Sequence, residues 1–251
     1  MDVLVTGSEG AIGSSLLPFL GEFRVTTVDR RAGARDDDRA LHVTADITRN
    51  AERVRSALVQ RQFGALIHLA GNPHPGALWD AVYADNVLST LAVFDLAAEM
   101  RIRKILFASS VHVIGGYNQH PESWPVGVDA VPWPSNAYGV SKLVGESFLR
   151  IHSDGDAAVC AYSLRIGAFW DGHGEFHAGP DASAAFLHAE DFADIIVRCL
   201  TQERRGYFVL FCASRVRRPL VDLSPARDIL GYVPKHEFVN DVSGAAETDN
   251  V

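Results

Sequence analysis

A chain of 251 residues, 47% hydrophobic and 22% charged, is long enough for one sizeable buried core and too apolar for a disordered segment. Its net charge of −8 argues against a broad basic surface, which sets nucleic acid aside as a partner and leaves small molecules. Cys160, Cys199 and Cys212 stand in apolar contexts without ligand spacing, so they read as reduced core thiols with no metal site expected.

Met1 runs directly into DVLVTG without a basic flank or a cleavable apolar region. No uninterrupted apolar stretch approaches the roughly 20 residues of a spanning helix, so the expectation is a cytoplasmic protein without a membrane partner. Short β-branched runs predict strands at 2–6, 24–28, 41–44, 65–69, 103–108, 158–164 and 207–211. Amphipathic stretches between them predict helices at about 11–20, 49–61, 77–99, 136–152, 189–202 and 222–230. That alternation is the pattern of an α/β fold, a doubly wound parallel sheet of Rossmann type over 1–240 with a small C-terminal substrate-binding part. Residues 111–135 and 168–187 break the alternation after strands and are candidate substrate loops, while 241–251 is small, polar and expected to fray.

The first strand leads into GSEGAIGSSLLPFL, with Gly7, Gly10 and Gly13 at three-residue intervals. A chain that leaves a strand, turns sharply past a pyrophosphate and enters a helix favours residues without Cβ at each step. The second strand ends in TTVDRR, where Asp29 can accept hydrogen bonds from an adenosine ribose and would repel a 2′-phosphate. Arg30 and Arg31 lie beside it and would suit that phosphate, yet the acid favours NAD over NADP. Asp46, after the third strand, can receive the adenine amino group, and Ala70 and Gly71, after the fourth, let backbone lie close to a cofactor. His68, inside an apolar strand, reads as a satisfied core histidine.

The segment SNAYGVSKLVGE places Tyr138 and Lys142 one helical turn apart in a chain with only two other lysines, Lys104 and Lys235. A phenol titrates near pH ~10, so it needs a neighbouring cation to act as a base, and a compact ammonium supplies one. Ser110, at the end of KILFASS, can hydrogen-bond a substrate oxygen as charge develops on it. The set suggests that Lys142 lowers the Tyr138 pKa so that the phenol can take a proton.

With TGxxGxxG, Asp29, ADI, HLAG, FASSVHVIG and YGVSK in that order, residues 2–235 resemble the extended short-chain dehydrogenase/reductase superfamily. Longer stretches, among them PSNAYGVSKLVGE and DILGYVPK, are similar to its compact branch of uronate and sugar-phosphate dehydrogenases. The resemblance implies a dehydrogenase with catalysis by Ser110, Tyr138 and Lys142. An epimerase or dehydratase that returns its hydride, and a non-catalytic NAD(P)-binding protein, are the alternatives. The resemblance also implies a homodimer paired through helices 77–99 and 136–152. It implies a cofactor set of Gly7, Gly10, Ala11, Ile12, Gly13, Asp29, Arg30, Asp46, Ile47, Leu69, Ala70, Gly71, Tyr138, Lys142 and Ile166. It implies a small-molecule substrate set of Asn72, His74, Ser110, Val111, His112 and Ala168. Three departures stand out: Val111 where uronate dehydrogenases carry asparagine, Ala168 where they carry serine, and no counterpart of their carboxylate-gripping arginine in HAGPDASAAFLH. Catalysis is expected to survive these changes and uronate recognition to be lost. The pocket walls would then be Val111, Ala168, Phe169, Trp170 and Phe176, with polar contacts from His74, His112, His173 and His177.

Overall fold

The computed structural model describes residues 1–33, 40–176 and 184–239. Its strands are β1 (Asp2–Thr6), β2 (Arg24–Asp29), β3 (Ala40–Thr44), β4 (Ala65–His68), β5 (Lys104–Ser110), β6 (Cys160–Ile166), β7 (Ala168–Trp170), β8 (Phe186–His188), β9 (Gly206–Cys212), β10 (Arg215–Val216) and β11 (Glu237–Phe238). The helices are α1 (Ala11–Leu16), α2 (Ala51–Leu58), α3 (Trp79–Val82), α4 (Ser89–Glu99), α5 (Ala137–Gly155), α6 (Ala189–Thr201) and α7 (Ser224–Leu230).

Seven strands form one sheet in the order β3-β2-β1-β4-β5-β6-β9. Every neighbouring pair is parallel. A parallel sheet must be covered on both faces, which is why β4 and β6 are buried at every position. One face packs Leu16, Leu20, Phe192, Ile195 and Ile196 from the α1 and α6 side. The other packs Val54, Leu58, Val93, Phe94 and Leu149 from α2, α4 and α5. Cys160, Cys199 and Cys212 are free and buried, as expected for core thiols. The strand order reverses direction between β1 and β4, and the crevice opens beyond the carboxyl ends of those strands.

The structure departs from the periodicity where the chain is locally irregular. The helix expected at 11–20 tightens into a 3₁₀ turn at Leu17–Leu20, where Pro18 has no amide to donate to the ladder. The helix expected at 77–99 contains a π turn, Tyr83–Leu88, which turns Asn86 inward. By length and composition Trp79–Glu99 is apolar enough to cross a membrane; half of that stretch is buried, and Val93, Phe94, Leu96 and Ala97 belong to the core.

The stretch 168–187 is not wholly a loop. It begins with β7 and ends with β8, and these strands pair in parallel. Residues 177–183, His177 among them, and the tail expected at 241–251 lie outside the described residues. Beyond α6, a C-terminal strap is anchored by Asp191, which is fully buried. Its carboxylate accepts bonds from the Lys235 and His236 amides at 2.8 and 3.1 Å and from the Ser214 hydroxyl at 2.5 Å.

Candidate active site

The turn after β1 is held by backbone packing that leaves no room for side chains. Gly7 has φ 78°, and a Cβ there would sit 2.5 Å from the Ala70 amide nitrogen. A Cβ on Gly13 would meet the Gly7 carbonyl oxygen at 2.3 Å. Gly13 is therefore buried beneath the turn, and its part in the glycine pattern is close packing of α1 against the loop. Gly10, Ala11, the C-terminal ends of β1 and β2 and the residues just after β4 border a cleft of about 480 Å³.

Asp29, Arg30, Asp46 and Ile47 line one end of this cleft, and Leu69, Ala70 and Gly71 line the other. The buried Asp29 carboxylate accepts hydrogen bonds from the Glu9 amide at 2.9 Å and the Arg31 amide at 2.8 Å. Arg30 is exposed, with Asp85 at 3.5 Å, and Arg31 donates to the Glu9 carbonyl. Asp46 Oδ1 gathers the Thr48 amide, the Thr48 hydroxyl and the Arg49 amide at 3.0, 2.6 and 3.0 Å. Burial raises the Asp46 pKa, but these bonds outweigh it and hold the carboxyl below its ordinary value.

A second, smaller cleft of about 220 Å³ shares Leu69, Gly71 and Pro73 with the first, so the two are continuous. Ser110 at the end of β5 and Tyr138 and Lys142 on α5 face it. So do Ile12, Asn72, His112, Ile166 and Phe169. The sequence-based expectation places these residues together across more than half the chain, and the fold brings them to one edge of the sheet.

Three expected substrate residues fall outside this lining among the described residues. Val111 packs against the small apolar cluster of Ile114, Val126 and Leu220. The Ala168 amide is committed to the Ala185 carbonyl at 2.8 Å as β7 pairs with β8. His74 is exposed, and its amide bonds to Asn72 Oδ1 at 3.1 Å. The expected apolar wall reduces to Phe169, because Trp170 and Phe176 both pack on Phe186. His173, exposed, gives its carbonyl to the Trp170 indole at 3.0 Å.

The start of α5 is fixed by its cap. Asn136 Oδ1 accepts the Gly139 amide at 2.8 Å, which leaves Nδ2 to donate to His112 Nδ1 at 3.0 Å. The His112 ring lies edge-on to Tyr138 with centroids 5.5 Å apart. Lys142 is buried, with Nζ 5.6 Å from the Tyr138 ring centroid and 5.2 Å from that of Phe107.

The electrostatics correct one expectation. Burial pushes the Tyr138 phenol above its ordinary pKa, and the Ser110 hydroxyl only partly counters it. Burial also pulls the Lys142 ammonium down to about 8. In the protein alone, desolvation governs both shifts, and the expected lowering of the phenol is supplied by the Ser110 hydroxyl and not by Lys142. His68 is the satisfied core residue expected of it: its ring nitrogens meet Thr6 and Thr90 hydroxyls at 2.7 and 3.0 Å, and burial lowers its pKa to about 3.

Sequence reasoning missed the polar groups that hold the site. Asn86 accepts the Asn72 amide at 2.6 Å and donates to Ser141 Oγ at 2.9 Å, and Ser141 donates to the Tyr138 carbonyl at 2.7 Å. Beneath Ser110, Ser109 donates to Glu146 at 2.5 Å. Arg165 grips the same carboxylate with two bonds of 2.9 Å. Arg165 also reaches the Val128 carbonyl at 3.3 Å, tying the 111–135 segment to the core. An arginine within the apolar run CAYSLRI, and a glutamate one turn beyond Lys142, were the available signals, because a charge in a doubly covered strand needs a partner.

Comparison with known proteins decides the family. Residues 3–177 match the model of the NAD dependent epimerase/dehydratase family. The chain belongs to this family. It is 31% identical to an NAD-dependent glucose-6-phosphate dehydrogenase of Haloferax volcanii, over 93% of this chain and 92% of that one. It is also 33% identical to an L-arabinose 1-dehydrogenase (NAD(P)(+)) of the same organism, over 66% of each chain. Uronate dehydrogenase from Agrobacterium tumefaciens shares the fold, with a TM-score of 0.80 at 23% identity over 94% of this chain and 85% of that one.

Proposed function

We propose that the protein is an NAD-dependent dehydrogenase that oxidises a hydroxyl of a small sugar-like molecule, or reduces the corresponding carbonyl. The observation that carries this reading is the convergence of Ser110, Tyr138 and Lys142 on a small cleft continuous with the one bordered by the glycine turn and Asp29. The fit of NAD rests on the cleft of about 480 Å³, whose lining brings the small residues Gly7, Gly10, Ala11, Ala70 and Gly71 together with the carboxylates of Asp29 and Asp46. Gly10, Ala11 and Gly71 would border the pyrophosphate, Asp29 the adenosine ribose, Asp46 and Ile47 the adenine, and Lys142 the nicotinamide ribose. Asp29 favours NAD over NADP, since a 2′-phosphate there would face a buried carboxylate.

When bound, NAD supplies the hydride acceptor. Ser110 Oγ aligns and polarises the substrate oxygen, and Tyr138 Oη takes its proton. Because burial alone raises Tyr138, ionisation depends on positive charge at this face, and Lys142 is the side chain that provides it. The cap formed by Asn136 and the brace formed by Asn86 hold that face toward Ser110. Reduction uses the same groups in reverse.

Leu78, Trp79, Tyr83 and Leu88 near α3 and α4, and Val140 and Ile151 on α5, are exposed large apolar residues. They support pairing with a second copy, which sedimentation at twice the chain mass would verify. Free, buried cysteines fit a reducing cytoplasmic setting. The deciding experiment measures net NADH formed with a panel of sugars, beside Tyr138→Phe. The variant should retain NAD affinity and lose on the order of 10²–10⁴ in kcat. Product without net NADH would instead indicate an epimerase, and a fully active Tyr138→Phe would remove the phenol from the mechanism.

A further inference from the structure

The loops around the substrate cleft share a property of charge that no single residue shows. Residues 69–78 and 111–135, and the described residues 168–176 and 184–187, contain no lysine or arginine. The second segment carries Glu122 and Asp129, and the stretch 168–176 carries Asp171 and Glu175. Among the described residues, Lys142 is the cation in the lining of the cleft, and it lies beside the Tyr138 ring on the catalytic helix. Arg165 approaches from below, but its guanidinium is engaged in two bonds to Glu146.

A phosphate or carboxylate brought into such a cleft exchanges water for a described lining whose cation, Lys142, already serves the reacting oxygen. An anion desolvated without its own partner is strongly disfavoured. The polar groups on offer suit hydroxyls: the Asn72 side-chain Nδ2, the Ser110 hydroxyl and the His112 imidazole. Burial lowers the His112 pKa, and its Nδ1 accepts from Asn136, so the neutral ring carries its proton on Nε2 and acts as an uncharged donor. The cleft's volume of about 220 Å³ lies below the range of about 300–1,000 Å³ usual for drug-sized ligands, in keeping with a single sugar ring.

One neighbouring loop does carry arginines. Between β9 and α7, Arg215 pairs with Glu237 at 3.8 Å, and Arg218 lies over the Trp124 ring at 5.7 Å. Arg217 and Arg218 are exposed, and neither lines the cleft.

Resting on the dehydrogenase reading above, we infer that the substrate is an uncharged sugar, an aldose bearing neither phosphate nor carboxylate. The test measures kcat/KM with NAD for glucose, galactose, xylose and arabinose beside glucose 6-phosphate, glucuronate and galacturonate, in low and high sodium chloride. The neutral sugars should exceed their anionic counterparts by on the order of tenfold or more, the scale of one uncompensated charge repulsion at a partly solvated site. Their KM should not move with salt. Preference for a phosphorylated or acidic sugar overturns this inference and leaves the dehydrogenase reading standing. Loss of such a preference in Arg217→Ala/Arg218→Ala would identify the arginines that read the anion. If NAD binds but no sugar in the panel is oxidised, the dehydrogenase reading falls and takes this one with it.

Discussion

The two halves of the crevice are built by different physical means. On the side of β1, β2 and β4, close approach is achieved with backbone: Gly7 in a left-handed conformation, and Gly13 pressed against the carbonyl of Gly7. On the side of β5, β6 and α5, it is achieved with buried side-chain charge: Lys142, Glu146 and Arg165 are each at most 5% exposed. A backbone turn tolerates little change but needs no partner. A buried charge is stable only while its partners are present, so the second half depends on residues far apart in the sequence.

That contrast is broken most severely at Glu146. Glu146→Gln leaves the Arg165 guanidinium buried without a counter-charge, and removal of one partner from a buried pair costs about 3–5 kcal/mol. Chemical denaturation should show this loss, and Glu146→Leu/Arg165→Met should recover most of it. If the single and double variants are equally unstable, the pair is not the element that joins α5 to β6. Gly7→Ala should have a smaller effect, about 1–3 kcal/mol from backbone strain, with a clear fall in NAD affinity because the Ala70 backbone must move. Unchanged NAD binding in a folded Gly7→Ala protein would remove this turn from the cofactor reading.

The same contrast explains what the sequence made legible. The seven sheet strands are apolar runs bounded by turns, and the glycine spacing is local, so both could be read directly. Ser110, Tyr138 and Lys142 were readable because a strand end and a helical repeat fix their directions. β7 and β8 were not: three-residue strands carry no periodicity, and their pairing depends on tertiary packing. Nor was the position of Val111, since the 3₁₀ turn that follows Ser110 directs it to the cluster around Val126. The Glu146–Arg165 pair joins residues 19 apart, and the Ser109–Glu146 bond residues 37 apart. The sequence signals that Arg165 needs a partner, but which residue meets it is set by tertiary packing.

The smallest expected effect separates function from stability at Lys142. Its ammonium is pulled from 10.5 to about 8 by burial, so between those values the unfolded chain binds a proton that the folded protein does not. Stability therefore rises with pH through this window; the penalty is fully present below about 8 and relieved as pH approaches 10.5. Lys142→Met should accordingly be more stable than the parent protein at neutral pH, by about 1–2 kcal/mol once solvent relaxation is allowed for, while losing activity. Denaturation of both cofactor-free proteins across this pH range checks the sign, because the gap between them should close on the alkaline side. A gap independent of pH would mean that methionine's packing is responsible. A variant less stable at neutral pH would mean that Lys142 contributes to the fold as well as to the chemistry, and the two halves of the crevice would then differ less than their construction suggests.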